Sequence, residues 1–459
     1  MLDQVLQTIE SRKHQSLSAL KEWLAIPSVS TKPEHAPDMQ RAATWLADQL
    51  KFGGLEVSIM PTGGAPAVVA KNKHEKSRPT VLVYGHYDVQ PPEPLDLWTT
   101  PAFEPTVRKD ENGFDAIYAR GAVDDKGQVW CHVAAVLAWQ AHTGLPINIT
   151  LLIEGEEEIG STHLEDFIRK HKDGLKADLC LISDTDQFQR GLPAITYGLR
   201  GLVYEEIFLT GPDRDLHSGA FGGAVPNPAN VLCEIIATLH NADGTVNVPG
   251  FYEDVTKLND SEKSLWSKLP LDEKKFAADL KLPTLNGESG FSTLERIWAR
   301  PTLDVNGITT GYQGPGAKTV IASKASAKVS MRLVPNQNPQ KIREQFEAAV
   351  RSRCPKNVKL EFVNYGCAEP VIVPIDNKAT QLAGEALQVG FGQTPTFTRC
   401  GGTIPVVGTI KSVLGIDTLL VGFGLPDDRV HSPNEKFDLA ALHNGTRTAA
   451  ALYQKLAAL

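Results

Sequence analysis

Histidines and carboxylates stand where the apolar runs of this chain end. Gly85-His86-Tyr87-Asp88 follows Val81-Leu82-Val83-Tyr84, and Glu156-Glu157-Glu158 follows Ile149-Thr150-Leu151-Leu152-Ile153. Ser183-Asp184 closes Leu179-Cys180-Leu181-Ile182, and Val430-His431 lies beyond Thr418-Leu419-Leu420-Val421-Gly422. Gly121-Ala122-Val123-Asp124-Asp125-Lys126-Gly127 reads as a tight loop that opens a helix. Singly, each piece has a plain reading: a loop histidine, an aspartate N-cap suited to a helix dipole, a solvated glutamate run. Together they read differently. Three acids beside a strand as apolar as Ile-Thr-Leu-Leu-Ile repel one another and lose hydration, unless a cation compensates them. Histidine and carboxylate donors without a thiolate suit Zn2+, Mn2+ or Co2+ in a catalytic site.

The elements that must place these groups follow from the same pattern. The apolar runs alternate with helical periodicity, as at 127–141. This βαβα rhythm predicts an α/β fold with a mixed, mainly parallel sheet flanked by helices. In such open sheets ligands bind beyond the carboxyl ends of the strands. Upstream, Val5, Leu6, Ile9, Leu17, Leu20 and Leu24 recur at helical spacing as far as Pro27, and a second helix covers about 38–50. The rhythm changes near residue 200. Alternating strands over 202–209 and 328–334 flank a helix at 228–240, a polar helix-prone stretch runs through 260–280, and another helix spans 339–352. That mixture predicts a smaller α+β domain. The α/β pattern returns after about 380. The expected division is therefore a discontinuous first domain, 1–199 and 383–459, with 200–382 inserted into it.

Bulk properties narrow the function classes. A formal net charge of -8 with no Lys/Arg-rich run argues against a nucleic-acid partner. No apolar run is long enough to cross a bilayer. The first ten residues are broken by polar ones every few positions, so no secretory signal is expected there. The cysteines at 131, 180, 233, 354, 367 and 400 form no close pair. Zinc-knuckle and redox motifs are absent, and a cytoplasmic location is expected.

The ordered motifs then become specific. Gly85-His86-Tyr87-Asp88-Val89-Gln90-Pro91, Ala119-Arg120-Gly121-Ala122-Val123-Asp124-Asp125-Lys126-Gly127 and Glu157-Glu158-Ile159-Gly160-Ser161 resemble the signatures of the co-catalytic metallopeptidases. That family includes aminoacylase, carboxypeptidase G, the desuccinylases and the carnosinase-like dipeptidases. Further segments look like the cytosolic nonspecific dipeptidases: 98–105, Tyr197-Gly198-Leu199-Arg200-Gly201, Asp215-Leu216-His217-Ser218-Gly219, Met331-Arg332-Leu333-Val334-Pro335-Asn336 and Gly401-Gly402-Thr403-Ile404-Pro405. The chain departs from them at Thr185-Asp186-Gln187, where an Asn-aromatic pattern is more usual, and at Thr403, where some relatives carry Ser. Both departures bear on side-chain specificity.

The resemblance implies a discontinuous catalytic domain, an inserted lid and dimerisation domain, and two divalent metal ions per subunit. One ion would be held by His86, Asp124 and Asp184, the other by Asp124, Glu158 and His431, with Asp124 shared. Two dications about 3.5 Å apart need an anion between them. Asp88 would orient the His86 imidazole, and the 124–125 peptide would be cis. Glu157 would be the general base acting on a metal-bridging water. His217 would stabilise the oxyanion in the active site of the partner subunit of a homodimer. Arg332 would grip the substrate's terminal carboxylate, with Thr319 and Thr403 as secondary contacts. Asp184 and His431 would also face the substrate. The implied reaction is dipeptide hydrolysis. The alternative, with the same dinuclear site, is deacylation of an N-acyl amino acid, as in the desuccinylases.

Overall fold

In the computed structural model, which describes residues 1–459, the aliphatic runs read as buried strands share one sheet. Its strands are β1 (Glu56–Met60), β2 (Ala67–Lys71), β3 (Thr80–His86), β4 (Asn148–Glu154), β5 (Leu179–Ile182), β6 (Ala194–Leu199), β7 (Thr396–Cys400) and β8 (Thr418–Leu420). They lie in the order β1-β2-β4-β3-β5-β8-β6, a ninth two-residue strand, Val371–Ile372, pairs with the far side of β6, and β7 also pairs with β6. The four central strands β4, β3, β5 and β8 are parallel. The flanks are antiparallel, β1 on β2, β2 on β4 and β6 on β8. Central strands buried along their whole length explain why they read as unbroken apolar runs.

The helix Lys126–Gln140 is apolar on nearly every side, with Trp130, Cys131, Val133, Val136 and Trp139 all buried. A helix of that kind belongs inside a core. Trp139 donates its indole N–H to Ala450 O of the last helix, Leu439–Lys455, at 3.0 Å. Gly127 matters at the start of this helix. A Cβ there would lie 1.8 Å from Ala122 O, so the loop can fold back on the first turn only against glycine.

The chain divides into two units. The first comprises Met1–Tyr197, Val373–Thr398 and Pro405–Leu459; the second comprises Gly198–Ile372 and Arg399–Ile404. The second has its own antiparallel sheet of Thr302–Thr310, Lys324–Leu333, Gly201–Thr210 and Lys359–Ala368, in that order. Val203, Ile207, Val329, Val231, Leu232, Ile235 and Phe346 form its core, drawn from the sheet and the helices Pro228–Ala237 and Pro339–Arg353. The helix-prone stretch at 260–280 is two short helices, Asp260–Trp266 and Glu273–Asp279, with Pro270 between them. The first amphipathic stretch is also two helices, Leu2–Ser11 and Lys13–Leu24, broken at Arg12. No helix is long and apolar enough to cross a membrane.

Candidate metal centre

His86 is the last residue of β3 and is fully buried. Its Nδ1 lies 3.1 Å from Asp88 O and 3.3 Å from Asp88 Oδ1. That leaves Nε2 pointing at Asp124, 3.2 Å from its Oδ1. The other oxygen of Asp124 lies 2.9 Å from His431 Nε2, and that same nitrogen is 3.3 Å from Glu158 Oε2. Asp124 thus stands between two imidazoles, one carboxylate oxygen toward each. The Asp124–Asp125 peptide is cis.

The ligand atoms of Asp124, Glu158 and His431 lie within 4.8 Å of one another, and so do those of His86, Asp125 and Asp184. Asp125 joins the second group although the sequence reading gave it no ligand role. Its Oδ2 accepts from the backbone N–H of His86 at 3.2 Å, so its carboxylate is tied to the end of β3.

The electrostatics of this cluster are those of acids short of positive charge. Burial, then the neighbouring Asp124, pushes the Asp184 carboxyl up to about 7. Burial and the same neighbour raise Glu158. Glu157 is also held up by burial, against the pull of His86. Asp124 goes the other way: burial would raise it, but the His431 and His86 imidazoles beside it hold it well below the usual carboxylate range. His431, close to Asp124 and Glu158, is raised to about 10.

These donors fit divalent ions. His86 Nε2, Glu158 Oε1 and Asp125 Oδ1 are buried and make no hydrogen bond. A buried nitrogen or oxygen without a partner is costly unless a cation takes its lone pair. The donor set of imidazole and carboxylate, free of thiolate, is that of Zn2+, Mn2+ or Co2+ sites.

The sequence profile of peptidase family M20/M25/M40 matches residues 82–455. A Cys-Gly metallodipeptidase of Candida albicans is 34% identical over 97% of this chain and 96% of its own length. A Beta-Ala-His dipeptidase of Homo sapiens is 32% identical over 100% of this chain and 93% of its own. The chain belongs to peptidase family M20/M25/M40. Its fold is similar to that of a solved dipeptidase from Saccharomyces cerevisiae, with a TM-score of 0.89 at 30% identity, covering 100% of this chain and 99% of that one. A metallo-carboxypeptidase of the M20 family from Sulfolobus solfataricus has a TM-score of 0.88 at 31% identity, covering 97% and 99%.

Within this M20 chain, Asp88 has a wider reach than its spacing from His86 suggested. Its carboxylate accepts from the backbone N–H groups of Glu157 at 3.2 Å and Glu158 at 3.0 Å. It therefore ties the turn after β4 to the end of β3. Gln90 donates to Glu158 Oε2 at 2.8 Å. The Glu157 carboxylate, by contrast, accepts no hydrogen bond from the protein.

The candidates in the second unit fall into two pairs. His217 and Val320 are register partners, and Ser218 N donates to Thr319 O at 3.1 Å, which sets Thr319 beside His217. His217 is exposed, and its Nδ1 accepts from Gly219 N at 3.0 Å. With Nδ1 accepting, the proton of the neutral ring falls to Nε2. Arg332 donates to Thr403 Oγ1 at 2.8 Å, and Thr403 donates to Arg200 O at 2.5 Å. Arg332 makes no ion pair with a carboxylate.

Proposed function

We propose that this chain hydrolyses dipeptides at a site holding two divalent cations. The observation that carries the reading is Asp124, set between His86 and His431 with an oxygen toward each. His86, Asp124 and Asp184 would hold one ion; Asp124, Glu158 and His431 would hold the other. Zn2+ or Mn2+ suits these donors, as does Co2+. Bound there, the pair would supply Lewis acidity and bring the acidity of a water toward neutral pH.

The chain's own residues do the rest. Glu157, whose carboxylate is not engaged by the protein, takes the proton of the attacking water and returns it to the leaving amine. Arg332, with Thr403 fixed against it, receives the substrate's terminal carboxylate through its planar fork. Thr319, Asp184 and His431 line the substrate. The relatives from Candida albicans and Homo sapiens are dipeptidases, which favours a dipeptide over an N-acyl amino acid. Purified enzyme assayed with a panel of dipeptides against N-acetyl and N-succinyl amino acids is expected to prefer the dipeptides by at least about 100-fold in kcat/KM, because a buried group built to pair with a substrate's polar end rejects analogues that lack it. Preference for an N-acyl substrate would overturn the assignment.

The His217 imidazole serves the oxyanion of a second copy's site, which makes the working form a homodimer. Cysteines scattered along the chain with no close pair suit a reducing compartment such as the cytoplasm. Glu157→Gln and His217→Ala are each expected to be nearly inactive. Dimers reassorted from a one-to-one mixture should recover about a quarter of wild-type activity, since half would be hybrids with one intact site. No recovery would remove the sharing.

A further inference from the structure

Glu435 lies four residues after His431 and is fully buried. Its Oε1 accepts from the backbone N–H groups of Val123 at 3.0 Å and Asp124 at 3.2 Å. Its Oε2 accepts from Gly121 N at 3.0 Å and from Arg120 Nη1 at 2.6 Å. Its own carbonyl accepts from Ala119 N at 3.2 Å. One residue from near the C-terminus therefore spans the whole loop that carries Asp124. Arg120, equally buried, gives its other terminal nitrogen to Pro91 O at 3.2 Å, just past His86 and Asp88.

The neighbouring residue extends the clamp. Asn434 donates to Leu97 O at 2.7 Å and accepts from Thr99 N at 2.9 Å and Arg108 Nη2 at 3.0 Å. His431 and Asn434 have φ of 60° and 63°, a conformation non-glycine residues keep only when their surroundings hold it. The register of Lys436–Asp438 against Asp115–Tyr118 explains the meeting: Lys436 pairs with Tyr118, so Glu435 must face the residues that follow Tyr118.

Buried carboxylates are a poor way to gain stability, because an apolar residue of similar shape avoids their desolvation. An anion here adds negative charge to a cluster already rich in it. What it uniquely does is gather several N–H groups of one loop about a single point. That fixes the backbone of Asp124, and the same residue anchors the chain four positions after His431. We infer that Glu435, with Arg120, is a positioning residue that sets Asp124 and His431 at their separation for the metal pair. The inference rests on the two-cation reading, and Glu435 is itself no ligand.

The test is the metal affinity of folded protein. Glu435→Gln keeps the volume but turns an amide N–H2 toward N–H donors. Zn2+ affinity, measured by chelator competition, is expected to weaken about 10- to 100-fold, as when partners behind metal ligands are lost, with kcat falling more than KM rises. The double variant Arg120→Gln/Glu435→Gln leaves no unpaired buried charge and is expected to lose affinity likewise. Trp139→Phe removes a buried hydrogen bond elsewhere in the same unit, so it reports what lost stability alone does to metal binding. Unchanged Zn2+ affinity in both Glu435 variants, or a loss no larger than that of Trp139→Phe, overturns the inference. So does failure of both to fold, which would make the pair a requirement of the fold and not of the site. Wild-type protein that takes up no metal overturns the two-cation reading instead.

Discussion

Glu157→Gln is expected to keep its metal and lose about 10²- to 10⁴-fold in kcat, the range that general acid–base catalysis supplies. The substitution is close to isosteric, and the turn that carries it does not depend on the side chain. Asp88 holds that turn through the backbone N–H groups of Glu157 and Glu158. The Glu158 and Asp124 donors should stay in place. Burial raises the Glu157 carboxyl, which makes it a stronger base than a surface glutamate once ionised. Glutamine cannot accept a proton at all. Steady-state kinetics on a dipeptide, with elemental analysis of the same sample, check this. A kcat within about tenfold of wild type would end the general-base role. Loss of metal would instead make Glu157 a ligand.

The parts of this centre that local pattern could announce are those at the ends of central strands. His86 closes β3, and Asp184 lies two residues beyond β5. Both strands are buried on two faces, so an ionisable residue at the end of each stands out against an apolar run. The supporting contacts are of another kind. Arg120 and Glu435 are 315 positions apart in the chain, and no periodicity encodes their meeting. Asp125 was read only through its peptide bond, because neighbouring aspartates look alike in sequence. Its carboxylate reaches the backbone of His86 by way of the fold, across 39 positions.

The fold shows the same division. β1 is exposed or half-exposed throughout, and Thr302–Thr310 mixes buried and exposed positions without strict alternation. Edge strands of this kind carry too little apolar signal to be read. The return of Arg399–Ile404 to the second unit is equally silent in sequence. It depends on Arg200, whose Nε donates to Gly401 O at 2.9 Å and whose N donates to Gly402 O at 3.1 Å. By contrast, Pro270 announces the break it makes, and Pro228 and Pro339 stand at the first positions of their helices.

Removing the metal is expected to abolish hydrolysis and to make the stability of the protein fall as pH rises. The sign follows from the groups in the cluster. A carboxyl with a raised folded pKa holds its proton more tightly in the folded chain. Its contribution is complete below the unfolded value and is lost as pH climbs through the folded one. Asp184, raised from 3.8 to about 7, therefore loses its contribution between about pH 4 and 7. Glu158 shifts in the same direction. His431, raised from 6.5 to about 10, keeps its contribution below 6.5 and loses it above. Asp124 is lowered, so its contribution is already complete above 3.8, before this window opens, and is lost only at lower pH. From pH 5.5 to 8 the metal-free protein should thus become steadily easier to unfold. Bound dications replace the missing protons, and a ligand at 100 times its Kd adds about 2.7 kcal/mol. The thermal unfolding curves of stripped and reloaded protein should lie close together at pH 5.5 and well apart at pH 8. Activity should vanish with chelator and return with Zn2+, Mn2+ or Co2+. Stripped protein that is as stable at pH 8 as at pH 5.5 would mean that these carboxylates never needed a cation, and the metal centre would have to be abandoned with them.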